Sequence, residues 1–400
     1  MQDFLMLPGL IDCHVHFREP GFPQKGTMVS EAEAALAGGI TTVCEMPNTN
    51  PPTTTVEALQ DKVKRAAKVQ SCDIRFFFGV TEQAHLREFE RLLTDASLRI
   101  YRERCPGVKL YFDHSTGNQR VNEEVTEDVF RVCAEQSVPL VAHCEDTTVN
   151  AKAREKVQQE FSHPPVSFHS LMRPSESETT AITHAISLAR KHGTHLHIAH
   201  ISTERGLTIV HEAKKEGLPI TCEVAPHHLF LTTDDYEVLG TLAKMNPPLR
   251  SVEDRDALWR GITDGTIDCI ATDHAPHTLE EKQCDNPLDA PNGVLGVETL
   301  LPLLFTVASG QWPHHSSQRP AASRGFSVEG VTRLCFENPN RIFRLGRKSI
   351  EEEAKENPVF VDPNEEWVIR GGNLHSKCKW TPYEGWKVKG RVKSVSILLQ

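Results

Sequence analysis

Polar residues that can bind a metal are concentrated in a short segment near the start of the chain, IDCHVHFREPG at residues 11–21. In an extended strand alternate side chains point to the same face, so Asp12, His14 and His16 share one face. Imidazole and carboxylate groups are ligands for zinc, manganese and iron. The H-x-H spacing therefore predicts a metal site at the end of this strand, although a single histidine in a strand is as often a structural residue.

Four later apolar segments hold or end in polar residues that can serve the same chemistry. These residues are Lys109, His143, His200 and Asp273. Four histidines together with one or two carboxylates exceed the needs of a single closed tetrahedral site, so the set predicts a centre with two metal ions. Lys109 is the exception, because an ammonium group cannot bind a metal and an ordinary surface or ion-paired lysine is the alternative.

The segments that hold these residues form a repeating pattern. Eight short apolar runs lie at residues 9–17, 39–46, 73–80, 107–112, 138–144, 194–200, 218–224 and 266–273. The stretches between them are amphipathic, with Ser or Thr near their starts and basic residues near their ends, which is typical of helices. Strand and helix alternating eight times predicts an α/β fold, a parallel (β/α)8 TIM-type barrel whose functional groups lie at the C-terminal ends of its strands.

Two regions fall outside this pattern. Residues 309–326 are rich in Ser, Pro, His and Arg, so we expect a mobile surface loop in which His314 and His315 are solvated. The stretch after about residue 355 alternates in strand fashion and predicts a small β appendage. We therefore expect a metal-dependent catalytic barrel at 8–350 and a small β appendage built from 1–7 and 351–400.

Composition narrows the class of partner. The 400 residues carry a formal net charge of −10 without a long basic run, so neither nucleic acid nor an anionic membrane is expected to bind. Eleven cysteines without C-x-x-C pairs predict reduced thiols. The sequence shows no apolar stretch of membrane-spanning length and no recognisable leader, so we expect a cytoplasmic protein that acts on a small molecule.

Several motifs together resemble one family. They are GLIDCHVHFREPG, MPNT, GVKLYF, VAHCED, HIAHIST, CEVAPHHLFL, KMNPPLR and TDHAPHT, in this order between about residues 7 and 305. The chain resembles the cyclic amidohydrolases and, among them, the dihydroorotases. The resemblance implies a barrel of the amidohydrolase kind and a reversible, zinc-dependent hydrolysis of dihydroorotate to N-carbamoyl-L-aspartate. Run backwards, this reaction closes the ring in de novo pyrimidine (UMP) biosynthesis.

The resemblance also implies a set of metal ligands. Two Zn²⁺ per subunit would be held by His14, His16, Lys109 as a carboxylated lysine, His143, His200 and Asp273. A desolvated lysine near a metal has a lowered pKa and can add CO2, and the carbamate that forms would bridge both ions. Asp273 would take the proton of the attacking water and deliver it to the departing ring nitrogen. Asp12 is expected to support the site by hydrogen bonding.

Dihydroorotate carries a carboxylate outside its ring, and the resemblance points to residues that would bind it. Arg18, two residues beyond His16, is placed to meet this carboxylate with two parallel hydrogen bonds. Asn48 and His277 resemble its other partners. Asn246 and the backbone near Asn292 resemble contacts to the ring amide.

Other polar residues near these motifs have weaker claims. Thr116, in the segment after the fourth run, is a candidate contact of a loop over the substrate, with an ordinary glycine-containing turn as the alternative. His227 and His228 follow the seventh run, but the metal site is already full without them. His195 and His197 alternate in parity with His200, so we expect them to face the helices.

Two alternative functions stay open. A related dihydropyrimidinase, hydantoinase or allantoinase would share the metal ligands, but such relatives generally lack the arginine of HFREPG because their substrates have no carboxylate there. A non-catalytic scaffold protein would have lost ligands, whereas every ligand position is filled in this chain. The resemblance also implies a homodimer.

Overall fold

The computed structural model describes residues 4–114, 119–314 and 317–396. Within them the strands, in chain order, are β1 (Leu5–Pro8), β2 (Leu10–Val15), β3 (Ile40–Glu45), β4 (Asp73–Phe76), β5 (Phe78–Gly79), β6 (Val108–Tyr111), β7 (Leu140–His143), β8 (Leu196–Ile198), β9 (Ile220–Val224), β10 (Cys269–Ile270), β11 (Pro358–Val368) and β12 (Lys387–Val395). The strands β2 to β10 correspond to the eight apolar runs, because β4 and β5 are two parts of the third run.

Helices follow most of these strands. In the described residues they are α1 (Met28–Ala37), α2 (Val56–Ala66), α3 (Gln83–Thr94), α4 (Arg99–Arg102), α5 (Glu123–Glu135), α6 (Thr147–Glu160), α7 (His169–Met172), α8 (Ser175–His192), α9 (Glu204–Lys215), α10 (Pro226–Phe230), α11 (Tyr236–Leu239), α12 (Val252–Asp264), α13 (Leu279–Lys282), α14 (Leu300–Ala308), α15 (Val328–Thr332), α16 (Asn338–Phe343) and α17 (Ile350–Glu356). None of the helices in this part of the chain is both long enough and apolar enough to cross a membrane.

Hydroxyl side chains fix the starts of several barrel helices, as the sequence predicts. The side chain of Thr27 accepts a hydrogen bond from the backbone of Ser30 at 3.0 Å at the start of α1. Thr203 and Ser251 cap α9 and α12 in the same way. Because the first backbone N–H groups of a helix have no partner within the helix, these caps define where each helix begins after its strand.

The strands form a parallel barrel. β2, β3 and β4 pair in parallel, and β5 to β10 pair in parallel in sequence order. The two ends of the series meet where Val15 forms a parallel bridge with His274 and the backbone N–H of His16 donates to the carbonyl of His274 at 2.7 Å. The predicted (β/α)8 TIM-type fold is confirmed.

Apolar side chains fill the inside of the barrel below its polar end. They are Ile11, Cys13, Cys44, Phe77, Val141, Ala199, Cys269 and Ala271, all at most 2% exposed. Phe343 of α16 packs against Phe77 with ring centroids 5.5 Å apart and closes this layer. Asn338, at the start of α16, donates to the carbonyl of Asp268 just before β10, so the closing side chains lie at the N-terminal ends of the strands.

A second, antiparallel sheet is built from both ends of the chain. β11 lies between β1 and β12 and pairs antiparallel with each. It is joined to the barrel through α14, where the hydroxyl of Thr306 accepts a hydrogen bond from the backbone of Lys389 at 2.8 Å. This sheet is the predicted β appendage, with β1 as its N-terminal share. The predicted domain boundaries, 8–350 for the barrel and 1–7 with 351–400 for the appendage, stay a prediction.

The expectation of a solvated histidine pair in residues 309–326 is wrong for His314. Its side chain is 5% exposed, and Nε2 donates to the Asp235 carboxylate at 2.6 Å. Trp312 packs between Phe230 and Trp259, with ring centroids 5.1 and 6.0 Å away. The aromatic ring gives this polar segment an anchor, which the count of Ser, Pro and His does not reveal. His315 lies outside the described residues.

A buried ion pair joins the second strand run to its helix. Glu45 ends β3 and Lys62 lies on α2, and both side chains are 1% exposed and in direct contact. Lys62 also donates to the carbonyl of Met46 at 3.3 Å. Burial raises the pKa of Glu45 and lowers the pKa of Lys62, so each charge depends on the other for its stability.

Replacing Lys62 by methionine should destabilise the protein by about 3–5 kcal/mol, because it leaves the Glu45 carboxylate buried and unpaired. Chemical denaturation would measure the loss. Lys64→Met on the exposed side of the same helix is the control and should change the free energy of unfolding by less than about 0.5 kcal/mol. Equal effects of the two substitutions would contradict this role of the ion pair.

Candidate active site

The side chains predicted to bind metal lie together above the C-terminal ends of the barrel strands. They are His14, His16, Lys109, His143, His200 and Asp273, each at most 7% exposed. His14, Lys109 and His143 lie on β2, β6 and β7, and His16, His200 and Asp273 lie one to three residues after the ends of β2, β8 and β10. Burial of so many ionisable groups at one end of a barrel is costly, so each needs a partner.

His14, His16 and Asp273 form one group. One carboxylate oxygen of Asp273, Oδ1, lies 3.0 Å from His16 Nε2 and 3.4 Å from His14 Nε2. The three candidate ligand atoms lie within 4.8 Å of one another. Burial alone would raise the pKa of Asp273, but the adjacent His14 and His16 hold it well below its usual value. The carboxylate is therefore charged and placed among imidazole nitrogens.

His143 and His200 form a second group beside the first. His143 Nδ1 lies 3.0 Å from His200 Nε2, and the ring of His200 is 5.2 Å from that of His14. On its other side, His143 Nε2 donates to Glu145 at 2.8 Å. Because a neutral imidazole carries one N–H and one lone pair, the Nδ1 lone pair of His143 then faces His200.

Lys109 lies under these groups without a hydrogen-bond partner among the described residues. Its Nζ atom is buried, and it lies 5.0 Å from the centre of the Tyr111 ring. Burial lowers the pKa of Lys109 to about 8, although Glu223 and Asp273 act in the opposite direction. The amine is therefore partly neutral near pH 7, which is the form that reacts with CO2.

The backbone is left-handed at three site residues. The φ angles of Arg18, His200 and Asp273 are 66°, 32° and 47°. Such angles are uncommon outside glycine and store about 1–3 kcal/mol of strain each where surrounding contacts hold them. These turns direct Arg18, His200 and Asp273, which lie at or just after the ends of their strand runs, toward the barrel mouth.

Glu223 of β9 supports the site, and sequence reasoning missed it. Its carboxylate contacts His14 Nδ1 directly and accepts from His197 Nε2 at 3.1 Å and from the Cys13 thiol at 3.4 Å. The acceptor on Nδ1 leaves the His14 Nε2 lone pair facing Asp273. The available signal was a single acidic residue inside the apolar run LPITCEV.

Cys13, His197 and Glu223 could themselves be taken for a metal site, since their ligand atoms lie within 4.8 Å of one another. Both oxygens of Glu223 are already engaged, one by His14 and the other by His197 and Cys13. We therefore interpret the three as a hydrogen-bonded support of His14.

A similar chain of charges lies behind His143. Glu145, fully buried, pairs with Arg173 at 3.1 Å, and Arg173 pairs with Asp113 at 2.6 Å. Burial would raise the pKa of Glu145, but Arg173 and His143 together lower it to about 2. The sequence motif VAHCED contains Glu145, yet its partner Arg173 is not predictable from spacing.

Asp12 is placed as expected for a supporting residue. Its Oδ1 atom accepts hydrogen bonds from the backbone of Thr272 at 3.0 Å and of His14 at 3.2 Å, and Oδ2 accepts from the Thr272 hydroxyl. Burial raises the pKa of Asp12 to about 7. These bonds tie β2 to the eighth run, so that His14 and Asp273 are held at a fixed separation.

The residues present fit a metal centre. The outer nitrogens of His14, His16 and His143 donate to Glu223, Asn48 and Glu145, respectively. Their inner nitrogens therefore present lone pairs to the same space as Asp273. Lone pairs and a carboxylate that face one another repel, so without a metal ion His14 or His16 must hold a hydrogen toward Asp273, and a bound cation would take its place.

The substrate-binding residues predicted from the sequence lie beside this centre. Arg18 is 2% exposed, and its Nε donates to the carbonyl of Pro276 at 3.1 Å. Asn48 accepts from His16 Nδ1 at 2.6 Å through Oδ1, which directs its NH2 group away from His16. Both residues line the cavity that opens above the metal ligands.

Asn246 and Asn292 line the same cavity. The amide oxygen of Asn246 accepts from His169 Nε2 at 3.0 Å. His277 lies against Arg18, with Nε2 3.0 Å from Arg18 Nη2 and 3.1 Å from the carbonyl of Asn292. Thr116, the candidate contact of the loop after β6, lies outside the described residues.

The cavity has a volume of about 850 Å³, and charged side chains of both signs line it. The cations are Arg18, Arg154, Arg173 and Lys244, and the carboxylates are Asp113, Asp273 and Asp289. Because Arg173 pairs with Asp113 and Asp273 lies among the metal ligands, the cations Arg18, Arg154 and Lys244 remain against Asp289, a balance that favours a negatively charged ligand.

The prediction that His197 faces the helices is wrong. His197 is fully buried inside the barrel, where it bonds to Glu223 and packs against Phe343 at 5.1 Å. The left-handed turn at His200 breaks the alternation from which this parity was counted. His227 and His228 are buried next to each other, and His228 Nε2 donates to the carbonyl of Pro247 at 3.0 Å.

Comparison with known proteins gives consistent matches. A model described as "Amidohydrolase family" matches residues 5–360. A protein named dihydroorotase from Halobacterium salinarum is 40% identical over 388 residues, which cover 96% of this chain and 83% of the relative. Another protein of the same name, from Staphylococcus epidermidis, is 35% identical over 395 residues, which cover 96% of this chain and 84% of the relative.

Solved structures match the fold. An L-hydantoinase (dihydropyrimidinase) from Arthrobacter aurescens has a TM-score of 0.87 at 26% identity, covering 97% of this chain and 83% of that chain. A D-hydantoinase (dihydropyrimidinase) from Thermus sp. has a TM-score of 0.84 at 23% identity, and the match covers 98% of this chain and 84% of that chain. The second likeness shows the fold alone.

Glu223→Gln should weaken metal binding about 10–100-fold, because an amide is a poorer acceptor for His14 Nδ1–H and no longer balances its charge. Chelator competition followed by elemental analysis would measure the affinity. Glu216→Gln, at the exposed position directly after α9, is the matched control. Unchanged metal affinity in Glu223→Gln would show that His14 does not depend on this carboxylate.

Proposed function

The chain belongs to the amidohydrolase family and, within it, to the dihydroorotases, and we propose from this premise how its site interconverts dihydroorotate and N-carbamoyl-L-aspartate. Among the described residues, the observation that carries the assignment is the position of Arg18. It is buried beside the His14, His16 and Asp273 group, on the wall of a cavity that suits a small anionic ring. A cyclic amide that bears a carboxylate matches this site, because the ring amide would meet the metal ligands and the carboxylate would meet Arg18.

We propose that two Zn²⁺ ions occupy the centre. His14, His16, Lys109 as a carboxylated lysine, His143, His200 and Asp273 would hold them. Bound metal of this kind would polarise the scissile carbonyl and lower the pKa of the attacking water. The Lys109 amine reaches carbamate by forming an N–C bond to CO2 with release of one proton, and the absence of a hydrogen-bond partner for Nζ among the described residues supports this change.

Asp273 is proposed as the acid–base residue. Its carboxylate is charged and lies at the junction of the two histidine groups, where water would attack the ring carbonyl. It would accept a proton from that water and deliver it to the ring nitrogen as the C–N bond breaks. The same carboxylate would remove that proton in the direction of ring closure.

The substrate's exocyclic carboxylate is assigned to Arg18, Asn48 and His277. The Arg18 guanidinium supplies a pair of parallel N–H donors. Asn48 contributes its NH2 group and, through Oδ1, also orients His16, so substrate binding and metal binding share one side chain. Asn246 and the backbone near Asn292 are assigned to the ring amide, since both line the cavity.

Two further proposals come from the family resemblance. The barrel at 8–350 would be the catalytic domain, with the appendage of 1–7 and 351–400 beside it. The active form would be a homodimer.

A ring amidohydrolase for uncharged substrates is the second candidate, because the L-hydantoinase (dihydropyrimidinase) shares the fold with a TM-score of 0.87. Arg18 argues against it, because its buried guanidinium has no ion-pair partner within residues 4–114, 119–314 and 317–396, and an uncharged ring would leave it unpaired. A scaffold without activity is disfavoured because all six ligand positions are filled and buried together.

A substrate comparison tests the function. The zinc-loaded protein should hydrolyse dihydroorotate in preference to dihydrouracil and allantoin, and Arg18→Lys should raise the KM for dihydroorotate about tenfold or more, because lysine keeps the charge but loses the paired donors. Preference for an uncharged ring would overturn the assignment. An unchanged KM in Arg18→Lys would overturn only the carboxylate contact.

Asp273→Ala should lower kcat by about 10²- to 10⁴-fold, because the proton acceptor is lost. Circular dichroism and elemental analysis would establish whether fold and metal content persist. Asp234→Ala, at an exposed position, is the control. Near-normal turnover in Asp273→Ala would remove this residue from the acid–base role.

A further inference from the structure

Lys25 is a mostly buried lysine whose partner is an imidazole of the substrate site. It lies between β2 and α1, and its side chain is 12% exposed. Nζ lies 2.9 Å from His277 Nδ1 and 3.1 Å from Glu281 Oε1. These contacts direct the Lys25 ammonium group toward the cavity wall that holds Arg18, and not toward the backbone of its own turn.

His277 therefore lies between two cations. Arg18 Nη2 is 3.0 Å from its Nε2, and Lys25 Nζ is 2.9 Å from its Nδ1. Lysine and arginine only donate hydrogen bonds, whereas a neutral imidazole offers a single lone pair. His277 can accept a hydrogen bond from only one of the two cations.

The carbonyl of Asn292 decides between them. It lies 3.1 Å from His277 Nε2 and can only accept, so it favours the tautomer with hydrogen on Nε2. The carboxylate oxygen Oε2 of Glu281 lies 3.7 Å from Nδ1, beyond hydrogen-bonding distance, and does not compete for the hydrogen. In that tautomer the lone pair is on Nδ1, where Lys25 donates to it. Burial, Arg18 and Lys25 together hold the pKa of His277 well below its usual value, so the ring is neutral.

This tautomer has a consequence for Arg18. With hydrogen on Nε2, His277 cannot accept from Arg18 Nη2, but it can turn that N–H from the Asn292 carbonyl to the substrate's carboxylate, as its assigned role requires. The Nε of Arg18 is already used on the carbonyl of Pro276 at 3.1 Å. The outer N–H groups of the guanidinium then need another acceptor. A carboxylate in the cavity meets that need with two parallel bonds.

We propose that Lys25, paired with Glu281, is a positioning residue that fixes His277 as the Nε2–H tautomer and so reserves the Arg18 guanidinium for the substrate's carboxylate. The proposal rests on the proposed function, because it takes that carboxylate as the ligand. Lys25 touches neither the reacting atoms nor the metal ligands, so its effect is on binding.

Kinetics with Lys25→Met provide the first test. KM should rise about tenfold for both dihydroorotate and N-carbamoyl-L-aspartate, since both carry this carboxylate, while kcat changes less than about twofold. Lys25→Arg, which keeps a cationic donor, should recover most of the loss. Lys377→Met is the matched control, because exposed Lys377 donates to the carbonyl of Pro23 in the same turn.

Three kinetic results would overturn the proposal. They are an unchanged KM in Lys25→Met, an equal rise in Lys377→Met, and a fall in kcat as large as the rise in KM. If the wild-type protein does not act on dihydroorotate at all, the proposed function fails instead, and the tautomer of His277 is then the independent measurement.

Nitrogen-15 NMR of histidine-labelled protein reads that tautomer directly, with His277→Asn used to assign the signal. Wild-type protein should show hydrogen on Nε2 and a bare Nδ1, and Lys25→Met should shift the population toward hydrogen on Nδ1. A wild-type ring with hydrogen on Nδ1, or a tautomer that Lys25→Met leaves unchanged, would overturn the proposal. Lys25→Ala, which also removes the donor to Nδ1, replaces Lys25→Met if the methionine variant does not fold, and Lys25→Arg should keep the wild-type tautomer.

Discussion

The metal-facing nitrogen of a buried histidine is usable only if an oxygen acceptor holds the hydrogen on the opposite side of the ring, and the barrel end is built around that requirement. Glu223 supplies the acceptor for His14, and Glu145 supplies it for His143. Both carboxylates are buried and balanced by further groups, His197 in the first case and Arg173 in the second. The apolar layer beneath and the helices around the barrel keep water from replacing these partners.

The same requirement explains why part of the site was predictable. Ligand chemistry places His14, His16, His143 and His200 at strand ends, and the period of two and the spacing of apolar runs locate those ends in the sequence. The acceptors behind the rings follow no such spacing. Glu223 lies on a different strand from His14, and the pairing depends on how β2 and β9 face each other across the barrel.

Counting by parity fails where the backbone leaves the strand conformation. His200 and Asp273 have left-handed φ angles, so their side chains no longer alternate in direction with the strand residues before them. Parity counted from His200 therefore predicts His197 among the helices, although it faces the barrel interior. In the segment at 309–326, Trp312 outweighs the polar composition because its partly buried ring packs against Phe230 and Trp259 and anchors a long stretch of chain. Contacts of this kind are tertiary, and a local pattern does not contain them.

Specificity is built differently from metal binding. The metal ligands are neutral rings and carboxylates that compensate one another, whereas the wall opposite carries Arg18 and Lys25 around a neutral His277, with Glu281 as the carboxylate that pairs with Lys25. Arg18 is nearly buried and forms no ion pair with a carboxylate in the described part of the chain, so its guanidinium is stabilised most by the ligand's own charge. A substrate with a carboxylate therefore gains binding free energy from Arg18, whereas an uncharged ring would leave the guanidinium unpaired. This difference in binding free energy lets related barrels distinguish between cyclic amides.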